Sequence, residues 1–326
     1  MTSAGSLTSQ FYELGPVRRI ERWLTAMPHP PLVVDIASTH VAAARWGKIN
    51  GTLESYAIEP LPLGSVLPSP VEMNVTQPDA VRSALRKVLS RVPGHEHGLA
   101  LLVPDLVVRV FILPFDTLPR RSEDALPLLR WRLKKSVPFD VDETVVSWMR
   151  QAGKDGNLEI VTAVARQKII REYEEIVEGS DANVGVVLSS TLAALPLIGE
   201  SDATLLVRMS GKTLTTVIVR GGNLCVYRST DMASEAAHLE PQLLLDEIFP
   251  AVAYYQDTWG GAVNRVCLSG LGPREEIFHR ALSEELKCPV GSLAESERPA
   301  HLDSGAKDLL HQNLDALVGW MLNGGS

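Results

Sequence analysis

Cysteine is scarce: the 326 residues contain three, and none is spaced C-x-x-C. An odd, scattered set suits neither a disulfide framework nor a zinc site. Cys225, Cys267 and Cys288 read as small hydrophobes in or beside apolar segments. Long apolar runs are also missing, and no window reaches the roughly 18 uncharged apolar residues of a membrane-spanning helix. No basic stretch followed by an apolar core marks an export signal. Positive charge is in deficit, with 31 Lys and Arg against 39 Asp and Glu and a net charge of −8. That balance argues against a broad nucleic-acid surface, which needs a basic patch to displace counterions. No Walker loop, nucleophile elbow or His/Asp/Ser cluster supports an enzyme reading. His95-Glu96-His97 follows Pro93-Gly94 in a turn where neighbouring side chains diverge, so no metal is expected there or elsewhere. A cytoplasmic protein with two cores, or one large bilobed core, remains.

What the chain does have is β-strand alternation punctuated by turns. Residues 1–10 are small and polar. Residues 14–27 then place Val17, Ile20, Leu24 and Met27 at helical spacing, with Arg18, Arg19 and Arg22 off that stripe and Trp23 beside it. Such a helix either packs on the domain surface or meets a partner or an anionic membrane. "PHPP" at 28–31 ends it. Apolar runs at 32–37, 40–46 and 52–59 predict three strands, the second and third joined by "GKING". A helix follows at 78–92, then the strands "GLALLVP" and "VVRVFILP", and a helix at about 122–136 with Ser122 as N-cap and Pro138 as terminator. Strands at about 143–152 and 157–165 precede a helix at 167–178.

The second half repeats the theme. Residues 203–229 predict three consecutive strands. A long helix at about 239–258 carries Pro250, which should kink it. A strand at 264–270 and helices at 273–286 and 305–322 complete the chain. Two halves that each begin with three antiparallel strands are the plan of the actin-like, ribonuclease-H-like superfamily. The expected fold is therefore α/β: two actin-like domains with a small inserted α+β subdomain. The expected boundaries are an N-terminal extension at 1–31, a first domain at 32–97 with 180–200 and 305–326, an insertion at 98–179, and a second domain at 201–304.

Four stretches in this order carry a family resemblance: "DIASTHVAAARW", "LESYAIEPLP", "VFILPFDTLPRRSEDALPLLRWRLKKSVPFDVDETVVSW" and "RVCLSGLGP". Together they resemble the PilM family of type IV pilus assembly proteins, actin-like relatives of FtsA. The most specific piece is the helix with Trp131, Lys134 and Lys135 followed by Val137-Pro138-Phe139. GspL of type II secretion shares the cytoplasmic fold but continues into a membrane helix, and the end of this chain at Ser326 favours PilM. The resemblance implies a scaffold at the cytoplasmic face of the inner membrane, held there through partners. It would bind the N-terminal cytoplasmic peptide of a PilN-like protein, and through it a PilO-like protein and motor ATPases. Lys134, Pro138, Phe139 and Trp148 are the expected peptide contacts. Self-association stays open, since actin-like proteins form filaments.

An actin-like nucleotide site needs two hairpin turns whose N–H groups cradle phosphates, acids that position Mg²⁺, and glycines where the nucleotide meets backbone. The family pattern at the first turn is D-I-G-S-x-x-V-K. Here Asp35 and Ser38 match, but Ala37 replaces the glycine and Ala42 the lysine. At the second turn Arg208 replaces an acid ahead of Gly211, reversing the local charge. At the third, Leu271 follows Gly270 where a contact glycine is expected, and only "STDMASEAAHLEP" stands where the family has a helical insertion. The expectation is a pseudo-ATPase with a vestigial site and no ATP, Mg²⁺ or other cofactor. The rivals are an active Mg-ATP-binding ATPase or a GspL-like secretion component.

Overall fold

The computed structural model describes residues 29–47, 52–94, 98–180, 182–199, 203–296 and 302–324. The helix expected over 14–27, with Arg18, Arg19, Arg22 and Trp23, and the His95–His97 turn lie outside them.

The first domain is a five-stranded sheet ordered β3-β2-β1-β4-β8. Its strands are β1 (Leu32–Ile36), β2 (His40–Trp46), β3 (Leu53–Pro60), β4 (Gly98–Val103) and β8 (Asn183–Ser189). β2 is antiparallel to β1 and β3, whereas β4 runs parallel to β1 and β8. Strand alternation divides the side chains between two faces. Leu32, Val34 and Ile36 join the outer core beneath α1 (Pro78–Arg91), and Val33 faces inward.

The second domain repeats this plan as β11-β10-β9-β12-β13. Here the strands are β9 (Thr204–Ser210), β10 (Thr213–Arg220), β11 (Asn223–Asp231), β12 (Arg265–Ser269) and β13 (Val290–Ser292). Leu205, Val207 and Met209 pack outward with residues of α5 (Pro241–Trp259) and α6 (Glu275–Leu286), while Leu206 faces inward. α5 continues through Pro250, which lies exposed.

The insertion is narrower than the expected 98–179. β4 is hydrogen-bonded between β1 and β8, so it belongs to the first sheet. α3 (Gln167–Val177) buries Ile169, Tyr173 and Ile176 in the first domain's outer core. What remains is a three-stranded antiparallel sheet, β5-β7-β6, from β5 (Arg109–Phe115), β6 (Thr144–Ala152) and β7 (Leu158–Arg166). One face carries α2 (Ser122–Leu133), whose Leu129 packs with Ile160 and whose Leu133 packs with Val164. The N-cap of α2 is Arg121, without a side-chain cap bond, so the expected Ser122 cap is not used. The other face sends Met149 and Val161 into the core between the domains. Gln151 clamps β11 there. Its Nε2 donates to the Leu224 carbonyl at 2.7 Å, and the Leu224 N–H donates to its Oε1 at 3.1 Å.

The inner faces of both sheets close over α4 (Ser190–Ala194), α7 (Ser304–His311) and α8 (Asp315–Gly324), with Leu192, Leu317 and Trp320 in one shared cluster. The single helix expected over 305–322 is broken at Asn313, which adopts a left-handed φ of 60°. α4 and α8 cross at Gly319, where a Cβ would lie 2.2 Å from the Ala193 carbonyl oxygen. We predict that Gly319→Val destabilises the fold by about 3 kcal/mol through this backbone clash. Gly261→Ala, which meets nothing within 4 Å, should change stability by less than about 0.5 kcal/mol. Urea unfolding of both variants checks the contrast.

Candidate functional site

The polar positions of the inner faces gather near the carboxyl ends of β1, β9 and β12, where open α/β sheets place their ligands. Alternation puts Asp35 two residues beyond Val33, and Arg208 two residues beyond Leu206. Both are almost fully buried, at 4% exposure each. Arg208 is the centre of the arrangement. Its Nε and Nη2 donate to Asp315 Oδ2 and Oδ1 at 2.8 and 2.9 Å, a two-pronged pairing that suits the planar guanidinium. Its Nη1 reaches Asp105 Oδ2 at 3.4 Å and Thr191 Oγ1 at 3.3 Å.

Asp105 collects donors from both domains. It accepts from the Thr191 N–H at 2.8 Å, Thr191 Oγ1 at 2.6 Å, Thr215 Oγ1 at 3.0 Å and the Tyr227 hydroxyl at 3.1 Å. Ser269 Oγ donates to Asp315 at 2.9 Å, and Ser190 Oγ to Asp35 at 3.1 Å. One guanidinium is thus set among three buried carboxylates. Burial works against its charge, but Asp315, Asp105 and Asp35 outweigh that and hold its pKa above the ordinary arginine value. Burial pushes the Asp35 carboxyl up to about 6, with Arg208 opposing the rise. His40 is held down at about 4, first by burial and then by the Arg208 charge.

The two hairpin turns close over this cluster. Gly211 has a left-handed φ of 58°, and a Cβ on it would lie 2.3 Å from Ser38 Oγ, so the two turns are in contact. The fit to Mg-ATP is poor. Arg208 already engages Asp315 and Asp105, the acids a metal would need, and Ser38 of the first turn lies against Gly211 of the second. Among the described residues, no group of three or more His, Cys, Asp or Glu is arranged to hold a metal ion.

The structure brings Asp35, Arg208, Ser38 and Gly211 together but corrects other expectations. Ala37 is not strained. Positive φ among the described non-glycine residues is confined to Lys287 and Asn313, and the Ala37 N–H closes the turn on the His40 carbonyl at 3.0 Å. Leu271 does not enter the cleft, because it is buried in the second domain's outer core. The Gly270 N–H donates to Asn313 Oδ1 at 3.2 Å, tying the third turn to the break before α8. Asp105 and Asp315, which complete the cluster, were not singled out from the sequence.

Beside the cluster lies a groove of about 600 Å³ bounded by all three parts of the molecule. Its walls are residues 108–111 entering β5, residues 135–138 after α2, and residues 227–229 of β11, with Asp105 and Tyr227 shared with the cluster. Arg109, Lys135 and Arg228 supply positive charge to it. Arg109 Nε is buried without a hydrogen-bond partner among the described residues. Of the four expected peptide contacts, only Pro138 lines this groove. Phe139 and Trp148 pack into the insertion's two small cores under α2, and Lys134 is exposed outside it.

Twin sheets of this order with a small insertion in the first define an actin-like two-domain protein. Among solved structures, the chain is similar to one in the PilM-PilN type IV pilus biogenesis complex. The TM-score is 0.69 at 17% identity, over 92% of this chain and all, 100%, of that one. Weaker likenesses include the cytoplasmic domain of EpsL, an inner membrane component of the type II secretion system of Vibrio cholerae (TM-score 0.46, 13% identity, 73% of this chain and 80% of that one). Another is the ethanolamine utilization protein EutJ from Carboxydothermus hydrogenoformans (TM-score 0.46, 9% identity, 93% and 97%). No protein-family model and no curated protein matches the sequence.

Two outcomes follow from the cluster. Arg208→Leu leaves buried carboxylates without their cation and should cost about 3–5 kcal/mol in urea unfolding, with Arg208→Lys intermediate because one ammonium cannot serve both acids. The second concerns pH. Folding raises the Asp35 pKa from 3.8 to about 6, so its contribution favours the fold at acid pH and is lost as pH rises through that window. His40 works oppositely, losing stability as pH falls from 6.5 towards about 4. Asp35→Asn removes only the first effect. Relative to wild type, it should be stabilised above pH 6 by on the order of 2 kcal/mol, a gain that fades towards about pH 4. Unfolding midpoints across that range measure it.

Proposed function

We propose that this chain is a non-enzymatic assembly component, a pseudo-ATPase that serves as a docking scaffold for a pilus or secretion machine. The observation that carries the reading is Arg208, an internal cation bound to Asp315 and Asp105 where the fold would present acids to Mg²⁺. A nucleotide would have to separate Ser38 from Gly211 and bring polyphosphate against three carboxylates that already share one cation. The rival, an active Mg-ATP-binding enzyme, requires both.

The fold shared with the chain from the PilM-PilN complex supports the choice of partner. On this reading the groove takes the N-terminal cytoplasmic peptide of a PilN-like membrane protein. Its walls offer Val110, Phe111, Val137, Pro138 and Tyr227 to apolar side chains, and its cations hold polar groups of the peptide. A PilO-like protein and motor ATPases join indirectly, and the scaffold lies at the cytoplasmic face of the inner membrane.

Two measurements test this. Thermal midpoints with millimolar ATP, with and without Mg²⁺, should not move, and an EDTA-sensitive increase would establish the ATPase reading instead. Titration with the N-terminal cytoplasmic peptide of a PilN-like protein should saturate at micromolar concentration, about −8 kcal/mol. Pro138→Glu, an exposed change on the groove wall, should weaken it by about tenfold or more. No binding at high micromolar peptide would reject the groove assignment.

A further inference from the structure

α2 is apolar on both faces, and the fold uses only one of them. Ala125, Leu129 and Leu133 are buried against the insertion's sheet. On the outer side, Trp131 is 72% exposed and Leu128 42%, with exposed Pro127 one turn before Trp131. Indole is the most costly side chain to leave in water at this exposure, and it needs no such placement to hold α2 in position.

The surroundings of this stripe are cationic. Arg121, Arg132, Lys134 and Lys135 are all exposed, and helical geometry sets them along both flanks of Trp131 and Leu128. Between Arg120 and Lys135 there are six cations and two acids, in a chain whose net charge is −8. Glu123 contacts Arg121 at 3.9 Å with both side chains exposed, a pair that is weak in water. A tryptophan and a leucine ringed by long, flexible cations match a membrane interface. The indole sits at headgroup depth, the apolar stripe enters the acyl boundary, and the lysine and arginine stems keep their charges at anionic headgroups.

We propose that the outer face of α2 docks directly on an anionic lipid surface, with Trp131 and Leu128 inserted and Arg121, Arg132, Lys134 and Lys135 against the headgroups. The occupant is chosen by charge complementarity. An acidic protein would also attract the cations, but the contact offered here is one convex helix face, suited to lying on a surface. This face shares only Lys135 with the peptide groove; Trp131 and Leu128, which would insert, lie outside the groove lining, so the Trp131/Leu128 variant tests this site without touching that one.

Flotation of the full-length protein with vesicles tests it. Binding should occur on phosphatidylethanolamine/phosphatidylglycerol vesicles and not on phosphatidylcholine alone. It should fall steeply at 1 M salt, where charges are screened within about 3 Å. Trp131→Ala with Leu128→Ala should weaken it at least about tenfold while leaving the thermal midpoint and peptide titration unchanged, because both side chains are solvent-exposed. Lys134→Glu with Lys135→Glu should abolish it. In the full chain, Arg18→Glu, Arg19→Glu and Arg22→Glu together serve as the control for the N-terminal segment. Failure of the wild type to bind anionic vesicles would overturn the proposal. So would loss of binding in the N-terminal variant with the Trp131/Leu128 variant unaffected. Vesicle binding absent, with self-association or partner capture lost in Trp131→Ala, would assign this face to a protein instead.

Discussion

The guanidinium of Arg208 between Asp315 and Asp105 is the contact on which the relation of the two domains depends. It joins a strand of the second domain to the first residue of α8 and to the turn that leads into the insertion. Buried ion pairs of this sort add little net stability over a well-packed apolar core, since desolvation offsets most of the attraction. Their effect is on geometry. Two oxygens of Asp315 and one of Asp105 accept from a planar fork in a fixed orientation, so sliding one domain against the other leaves a charge unpaired in a dry interior. A single side chain thus fixes how the two domains meet.

That constraint reaches the groove. Asp105 and Tyr227 belong to both, and Tyr227 donates to Asp105 from the second domain. The groove has one wall from each of three parts of the chain, so its width is set by how those parts are held together. Gln151 fixes the insertion to β11 through both backbone groups of Leu224, and Asp105 fixes its root through Thr191. The three walls are therefore held in place by bonds that do not depend on anything bound between them.

The repeated sheet was legible in the sequence because period-2 alternation and turn residues mark each strand, and the twin three-strand openings mark the duplication. The cluster was legible only at Asp35 and Arg208, the two strand-end positions that the expected turns singled out. Asp315 was hidden inside a stretch that reads as one amphipathic helix. Leu309, Leu310, Leu314, Leu317 and Val318 keep nearly helical spacing, and no glycine or proline marks the break at Asn313. Asp105 follows Pro104 and reads as an ordinary loop acid. Only the pairing of β4 between β1 and β8 places it under Arg208. Ala37 and Leu271 misled for one reason: local sequence shows which residue is present but not the φ of its turn or the face of its sheet.

The cation at position 208 makes sense only together with its partners. An arginine on the inner face of β9 facing apolar neighbours would be expelled, and Asp315 and Asp105 without it would be acids in a dry interior. Each is tolerated because the others are present, and Ser269, Thr191 and Thr215 satisfy the remaining oxygens. Placing an acid at position 208 would therefore not create a metal site. It would bury a fourth carboxylate beside three, at a cost of several kcal/mol per unpaired ion, before any cation arrived to offset it. The interlock can be left only through several changes at once, and Asp105 and Tyr227 tie it to the groove beside it.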